Sequence, residues 1–441
     1  MRTLNRRVFV KNGALALLAM GLPPQFLPRT LLAETRRARR KTIVCIFQRG
    51  AVDGLNMVVP FGEKAYYRVR RAIAVQAPGT GQRAALDLDG FFGLHPSLSR
   101  LHDLWQRKEM AIVHAVGSPH PTRSHFEAQD YMETAMPGQP GAREGWLNRV
   151  LQETGCADCA GRTLADGAAH AADHAAAQTA LATSPLRGIA MTQALPRALQ
   201  GRAAALAVPD LERFGVANGS DPELEATLSS LYRTDSGDAV AAAGSDAFDA
   251  MAILRSLEPG RYRPRDGVQY PGGEFGRSLR QVAQLIKADV GLEIAFVDIK
   301  GWDTHANQGG ATGTLSTRFT ELSRGVRALY DDLGDHVENV VVLTMSEFGR
   351  TVAENGSGGT DHGHANCMLV LGGTVAGGRI YGEWPGLEKE QLYQGRDLEL
   401  TTDFRDVFGE VAAVHLGASG LERVFPGYEV DRGRFFGMVG A

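Results

Sequence analysis

The chain is poor in several things at once. Aromatic residues make up 7% of its 441 positions, so a core of stacked rings is excluded and an aliphatic one is expected. Cysteine occurs only 4 times. That excludes a disulfide-stapled scaffold. It also excludes a thiolate zinc module, because "CADC" (Cys156 and Cys159) has no second pair to complete a set of four. No thioredoxin-like pattern surrounds "CADC", which argues against a redox motif; an oxidising compartment would permit a local disulfide there, and the sequence leaves that pairing open. Cys45 and Cys367 lie in apolar runs and are expected as small core residues. Charge of either sign is nearly balanced, with a formal net charge of −3, which gives no global attraction to nucleic acid. After the N-terminal segment no apolar run is long enough for a membrane-spanning helix, so the mature form is not expected to span a membrane.

What is present begins with "NRRVFVKNGALALLAMGLPPQFLPRTLLA". Arg6-Arg7, Phe9 and Lys11 followed by a modest apolar run have the order and spacing of a twin-arginine export signal. The apolar stretch from Gly13 to Leu22 is too short to remain as a spanning helix, and small residues near Ala33 offer a cleavage site. Residues 1–33 therefore read as a signal for the twin-arginine export machinery. Residues 34–41, with "RRARRK", read as a solvated basic linker, and 42–441 as one domain, exported folded to the periplasm or beyond.

Short Ile/Val-rich runs recur at 41–50, 111–117, 292–299, 339–346 and 366–373. Amphipathic helical patterns alternate with them, as in "GEFGRSLRQVAQLIKAD" and "STRFTELSRGVRALYDDLGD". Continuous apolar strands alternating with helices predict an α/β fold, a mostly parallel sheet covered by helices on both faces. The Ala-rich tract near 157–184 reads as an insertion, and 220–290 as a helical region that could cap the domain.

In open α/β sheets ligands bind beyond the carboxyl ends of the strands. The first run is followed by "RGAVDGLN", with Arg49 and Asp53; the second by "GSPHPTRSHFEAQD", with Arg123, Ser124 and His125. The third is followed by "GWDTHANQGG", with Asp303 and His305, and the fourth by "SEFGR", with Glu347 and Arg350. Just before the last comes "GGTDHGHAN", with Asp361, His362 and His364 among glycines that let the backbone bend. Carboxylate and imidazole without thiolate suit a divalent metal, Zn²⁺ or Mn²⁺ foremost. The ligand pool is Asp53, Asp303, His305, Glu347, Asp361, His362 and His364. Ser124 opens a predicted helix, where free N–H groups favour an anion and a nucleophilic oxygen, or where a serine simply caps. His125 is a candidate should Ser124 not act, and Arg123, Arg49 and Arg350 are candidates to meet a substrate oxyanion. His170 and His174 are four apart, but in the Ala-rich tract they read as incidental.

The set "RGAVDGLNMVVPFGEKAYY", "RSHFEAQDYMETA", "GWDTHANQG" and "SEFGRTVAENGSGGTDHGHANCMLVLGG" resembles the bacterial family known as domain of unknown function 1501. That family commonly carries a twin-arginine signal and is grouped with the alkaline phosphatase and sulfatase superfamily. The resemblance implies a doubly wound, alkaline phosphatase-like α/β fold with a metal-dependent hydrolytic site. It makes Asp53 the acidic ligand after the first strand, Ser124 the nucleophile that opens a helix, and Asp303 and His305 an Asp–His pair. Glu347 stands where the superfamily has an Asp–His pair, but no histidine follows it. The final ligand is then His362 or His364, or Asp361-His362 is itself the displaced pair. The expected function is an exported metal-dependent hydrolase of a phosphate or sulfate ester, its substrate a small molecule or a glycan. The competing expectation is a non-catalytic periplasmic binding or assembly protein on a degenerate hydrolase fold. Members are often encoded beside another exported family, which implies an exported protein partner.

Overall fold

The computed structural model describes residues 40–155, 184–214 and 239–440. The twin-arginine motif, the Cys156–Cys159 pair, the His170–His174 pair and most of the Ala-rich tract lie outside the described residues. Residues Arg40–Ala441 form one contact unit. In chain order the strands are β1 (Thr42–Arg49), β2 (Val58–Val59), β3 (Leu86–Asp87), β4 (Gly93–Leu94), β5 (Met110–Gly117) and β6 (Gly188–Ala190). They continue with β7 (Ala205–Ala207), β8 (Ile294–Lys300), β9 (Val340–Met345), β10 (Asn366–Gly372), β11 (Arg379–Tyr381) and β12 (Thr402–Asp403). The helices used below are α1 (Ser99–Gln106), α2 (His125–Thr134), α3 (Trp146–Gly155), α4 (Ala239–Ser256), α5 (Glu274–Lys287), α6 (Thr314–Leu333) and α7 (Phe404–Glu410).

One large sheet runs in the order β11-β5-β10-β9-β1-β8-β6-β7, with β12 beside β5. β1 lies between β8 and β9, parallel to both. Its sequence "TIVCIFQR" is apolar and almost wholly buried, as a strand covered on both faces must be. The side chains alternate between the two faces. Val44 and Ile46 pack with Leu279 and Val282 of α5 and with Phe319 and Leu322 of α6. Ile43, Cys45 and Phe47 pack on the other face with Trp146 of α3 and Phe404 and Phe408 of α7. Trp146 stacks on Phe408 with centroids 4.3 Å apart. Full burial of each such side chain contributes about 1.5–3 kcal/mol. Cys45 and Cys367 are free thiols inside these cores, as expected. This is a mixed α/β architecture with a mostly parallel central sheet flanked by helices. α5 belongs to the layer that covers the sheet rather than to a separate cap.

The exception to the parallel arrangement is β10, antiparallel to both β5 and β9. Its direction decides where the site forms. The segment before an antiparallel strand lies at the same edge as the segments that follow its neighbours. The stretch from Ser346 to Ala365 therefore joins the ends of β1, β5 and β8 at a single sheet edge. Among the described residues no helix is long and apolar enough to cross a membrane. The expected closing helix is α7, which widens after Glu410 into a π turn at Val411–His415. The Glu410 carboxylate accepts backbone N–H groups of Phe436, Met438 and Val439 and so anchors the C-terminal strand of chain.

Candidate metal centre

At that edge the ligand atoms of His125, Asp303 and His362 all lie within 4.8 Å of one another. His305 closes on two of them. Its Nε2 stands 3.1 Å from Asp303 Oδ1 and 3.0 Å from His362 Nε2. His362 Nε2 is 3.5 Å from Asp303 Oδ1, and His125 Nε2 is 3.6 Å from Asp303 Oδ2. A zinc–ligand bond of about 2.0–2.1 Å gives a tetrahedral edge of about 3.4 Å. The separations from Asp303 bracket that edge, so His125, Asp303 and His362 fit a divalent ion, and His305 stands beside two of the three.

The tautomers follow from the partners on the far side of each ring. His125 Nδ1 meets Glu347 Oε1 at 2.8 Å, His305 Nδ1 meets Asp361 Oδ1 at 3.0 Å, and His362 Nδ1 meets the Arg123 carbonyl at 2.7 Å. Carboxylates and carbonyls only accept, so each Nδ1 carries the hydrogen and each neutral ring presents a bare Nε2 to Asp303. Two bare nitrogens 3.0 Å apart, those of His305 and His362, repel unless a cation or a proton lies between them. The buried Nε2 of His125 has no hydrogen-bond partner at all.

The surrounding charge divides the rings, favouring a proton on His125 in the metal-free site and the neutral form of His362. The Glu347 hydrogen bond, helped by the Glu347 and Asp303 charges against partial burial, raises the His125 pKa above its ordinary value. Burial works to raise the Glu347 pKa, but donors from His125, Gln129 and the Gly50 N–H outweigh it and hold it low. Partial burial likewise opposes ionisation of Asp303, and the Arg350 guanidinium with the nearby imidazoles overcomes it. The His305 hydrogen bond lowers Asp361. Burial lowers His362, favouring the neutral ring.

The predicted residues divide into those that converge and those that brace. Asp303, His305 and His362 converge. His125, expected as a catalytic side chain, joins them. Glu347 and Asp361, expected as ligands, instead orient His125 and His305 from behind. His364 turns away and stacks on Tyr393, with centroids 4.2 Å apart. Asp53 is sealed in the interior, where its Oδ2 accepts from Arg70 Nη1 and Gln308 Nε2, each at 2.6 Å. Gln308 Oε1 in turn accepts the hydroxyls of Thr304 and Thr360, the neighbours of His305 and Asp361. Asp53 thus supports the ligand loops from below. Its other oxygen is buried without a partner.

Arg350 is locked in the structure and does not face a substrate. It donates to the carbonyls of Gly50, Ala51, Trp302 and Thr360 and to Asp303 Oδ1 at 2.6 Å. Arg49 is tied to Asp298 and Glu133. The Arg123 guanidinium is tied to Asp397, and its backbone is what reaches His362. Ser124 occupies the N-cap of α2, directly before His125, and its side chain makes no capping hydrogen bond. The glycines act by close approach more than by bending. A Cβ on Gly359 would lie 2.4 Å from backbone of Thr304 and His305, and on Gly363 2.4 Å from backbone of Arg350; of the loop's glycines Gly358 takes a positive φ, +66°. Sequence reasoning did not find Arg70, Gln308, Asn355 or Arg396. Gln308 and Asn355 lie inside the quoted motifs, but an amide carries no ligand signal there, and Arg70 and Arg396 stand in none of the strand-end motifs.

The chain resembles the PsFucS1 sulfatase from Pseudoalteromonas sp. at 12% identity and a TM-score of 0.37, over 91% of this chain and 73% of that one. It resembles Ps i-CgsB, solved in complex with k-i-k-neocarrahexaose, at 10% identity and a TM-score of 0.37, over 89% and 74% of the two chains. Likeness at that level bears on neither the fold nor the site described above. No curated protein matches the chain. The family described as "Protein of unknown function (DUF1501)" matches residues 40–425, with every converging side chain inside the match, and the chain belongs to that family.

Proposed function

We propose that this protein is an exported, metal-dependent hydrolase of a sulfate or phosphate ester. The observation that carries the reading is the set of bare Nε2 atoms of His125, His305 and His362 turned toward the Asp303 carboxylate, each ring pinned by an acceptor behind it. Imidazole and carboxylate ligands without thiolate suit Zn²⁺ first and Mn²⁺ second. Such an ion would supply Lewis-acid stabilisation of charge on the ester oxygens. The chain supplies the rest. Asp303, His305 and Asp361 are each about half exposed, with side-chain exposures of 47%, 45% and 50%, so an ester can reach the cluster from solvent. Ser124 Oγ is free of capping duty and is next in the chain to His125, and the N–H groups of the first turn of α2 favour an anion there. Ser124 is the nucleophile in this reading, and Arg396, 40% exposed and bonded to the His362 carbonyl, offers a cation at the rim.

Metal analysis and turnover of aryl sulfates and aryl phosphates by the full-length protein test this together. We expect about one equivalent of metal in the wild type. Ser124→Ala should keep the metal and lose turnover by at least about 100-fold. Metal-free wild-type protein that cannot be loaded with Zn²⁺ or Mn²⁺ would overturn the reading.

A second reading is a non-catalytic periplasmic binding or assembly protein working with an exported partner. It is favoured by the diversion of Asp53, Glu347 and His364 to the scaffold, which leaves ligands for a single centre among the described residues. Retained metal with no turnover on a broad ester panel supports it.

Export is proposed from Arg6-Arg7. Changing both to Lys should hold the precursor in the cytoplasm, read by fractionation. A mature form that still reaches the periplasm would remove the twin-arginine assignment.

A further inference from the structure

Residues 393–398, "YQGRDL", form a turn stitched to the metal loop at several points. Asp397 bridges Thr351, Val352 N donates to the Arg396 carbonyl, Ala365 N donates to the Leu398 carbonyl, and Tyr393 stacks on His364. Asp397 at its centre is fully buried. Its Oδ2 accepts from Arg123 Nη2 at 2.6 Å and stands 3.5 Å from Arg396 Nη1. Both of those arginines hold His362. The Arg123 carbonyl accepts the His362 Nδ1–H at 2.7 Å, and Arg396 Nη2 donates to the His362 carbonyl at 3.0 Å. One carboxylate therefore fixes the two groups that hold a single imidazole, one at its ring and one at its backbone.

As an ion pair in its own right, Arg123–Asp397 is badly closed. Arginine and carboxylate favour two parallel bonds. Here there is a single bond, and Arg123 Nε and Asp397 Oδ1 are both buried without partners. A pair kept for stability alone would satisfy those atoms. In the observed arrangement the Arg123 backbone carbonyl sits at the imidazole instead.

We infer that Asp397 is a positioning residue for the metal centre, setting the direction and tautomer of His362 through Arg123 and Arg396. The inference rests on the metal reading above. The effect would reach the ion through the partners of a ligand, where substitutions typically weaken metal binding about 10–100-fold.

The test uses Co²⁺ as the probe, loaded into full-length protein after chelation. The visible ligand-field band reports coordination geometry, and titration gives the affinity. We expect the wild type to show a band. Asp397→Asn should weaken Co²⁺ about 10–100-fold and shift the band. Arg396→Gln removes a half-exposed side chain, so it should fold normally, weaken Co²⁺ about tenfold and shift the band in the same sense. If Asp397→Asn does not fold, the Arg396 variant decides. A wild-type band with unchanged band and affinity in the folded variants overturns this inference and leaves the metal reading standing. A wild type that binds no Co²⁺ overturns both.

Discussion

Asp53 and Asp303 follow adjacent parallel strands, and each is met by an arginine at 2.6 Å, yet they serve opposite ends. Asp53 has a side-chain exposure of 1%, and Asp303 of 47%. Around Asp53 every neighbour donates: Arg70, Gln308 and, through Gln308, the threonines of the ligand loops. Around Asp303 the neighbours are imidazoles whose bare nitrogens accept. A carboxylate held among donors, here two on a single oxygen, becomes scaffold. A carboxylate among lone pairs is incomplete without a cation. What separates the two regions is the kind of atom that faces each carboxylate, since residue type, strand end and arginine partner are shared.

The largest effect should come from the sealed member. Asp53→Ala leaves Arg70 buried and unpaired, and we expect a loss of about 3–5 kcal/mol in denaturant unfolding. The folded fraction should still take up metal. Lost metal with little lost stability would make Asp53 a ligand and dissolve the comparison. The open member should behave in the reverse way. His362→Ala should abolish metal uptake, weakening it by more than the about 100-fold typical of outer partners. Stability of the metal-free protein should change by less than about 1 kcal/mol, because that ring is partly exposed and its loss relieves the contact with His305. Metal retained by that variant would shift the centre away from the imidazoles.

Much of this contrast could not be seen in the sequence. The long apolar strands β1, β5, β8, β9 and β10 were legible because burial on both faces leaves an Ile/Val-rich run. The three-residue strands β6, β7 and β11 are too short to carry a pattern. The direction of β10 was not legible either, since its composition suits a parallel strand equally well. In the site, Asp303, His305 and His362 were legible from residue type and position at strand ends. Whether a residue binds or braces was not. Glu347 and Asp361 look like ligands in sequence because a brace for an imidazole uses the same carboxylate. Arg350 looks like an anion receptor until its donors are seen to end on carbonyls of Gly50, Ala51, Trp302 and Thr360.

The smallest effect, and the sharpest, concerns the brace at His125. Its pKa is raised chiefly by the Glu347 hydrogen bond, and that of Glu347 is lowered by donors that outweigh burial. A raised histidine contributes stability that is complete below its unfolded value of about 6.5 and is lost as pH rises through the folded value. A lowered carboxylate contributes stability above its unfolded value of about 4.3 that is lost as pH falls through the folded one. The metal-free protein should therefore gain the full pair, about 1 kcal/mol, between roughly pH 4.5 and 6.5 and lose it on either side. Glu347→Gln should flatten that profile in denaturant melts. With metal present the dependence at His125 reverses, because the ion needs Nε2 without a proton and binds more tightly as pH rises. Glu347→Gln should then weaken metal binding about tenfold, since the ring keeps its place but loses basicity. A variant whose metal-free pH profile matches the wild type would show that Glu347 only fills space behind the ring, and His125 would lose its claim to be a held ligand.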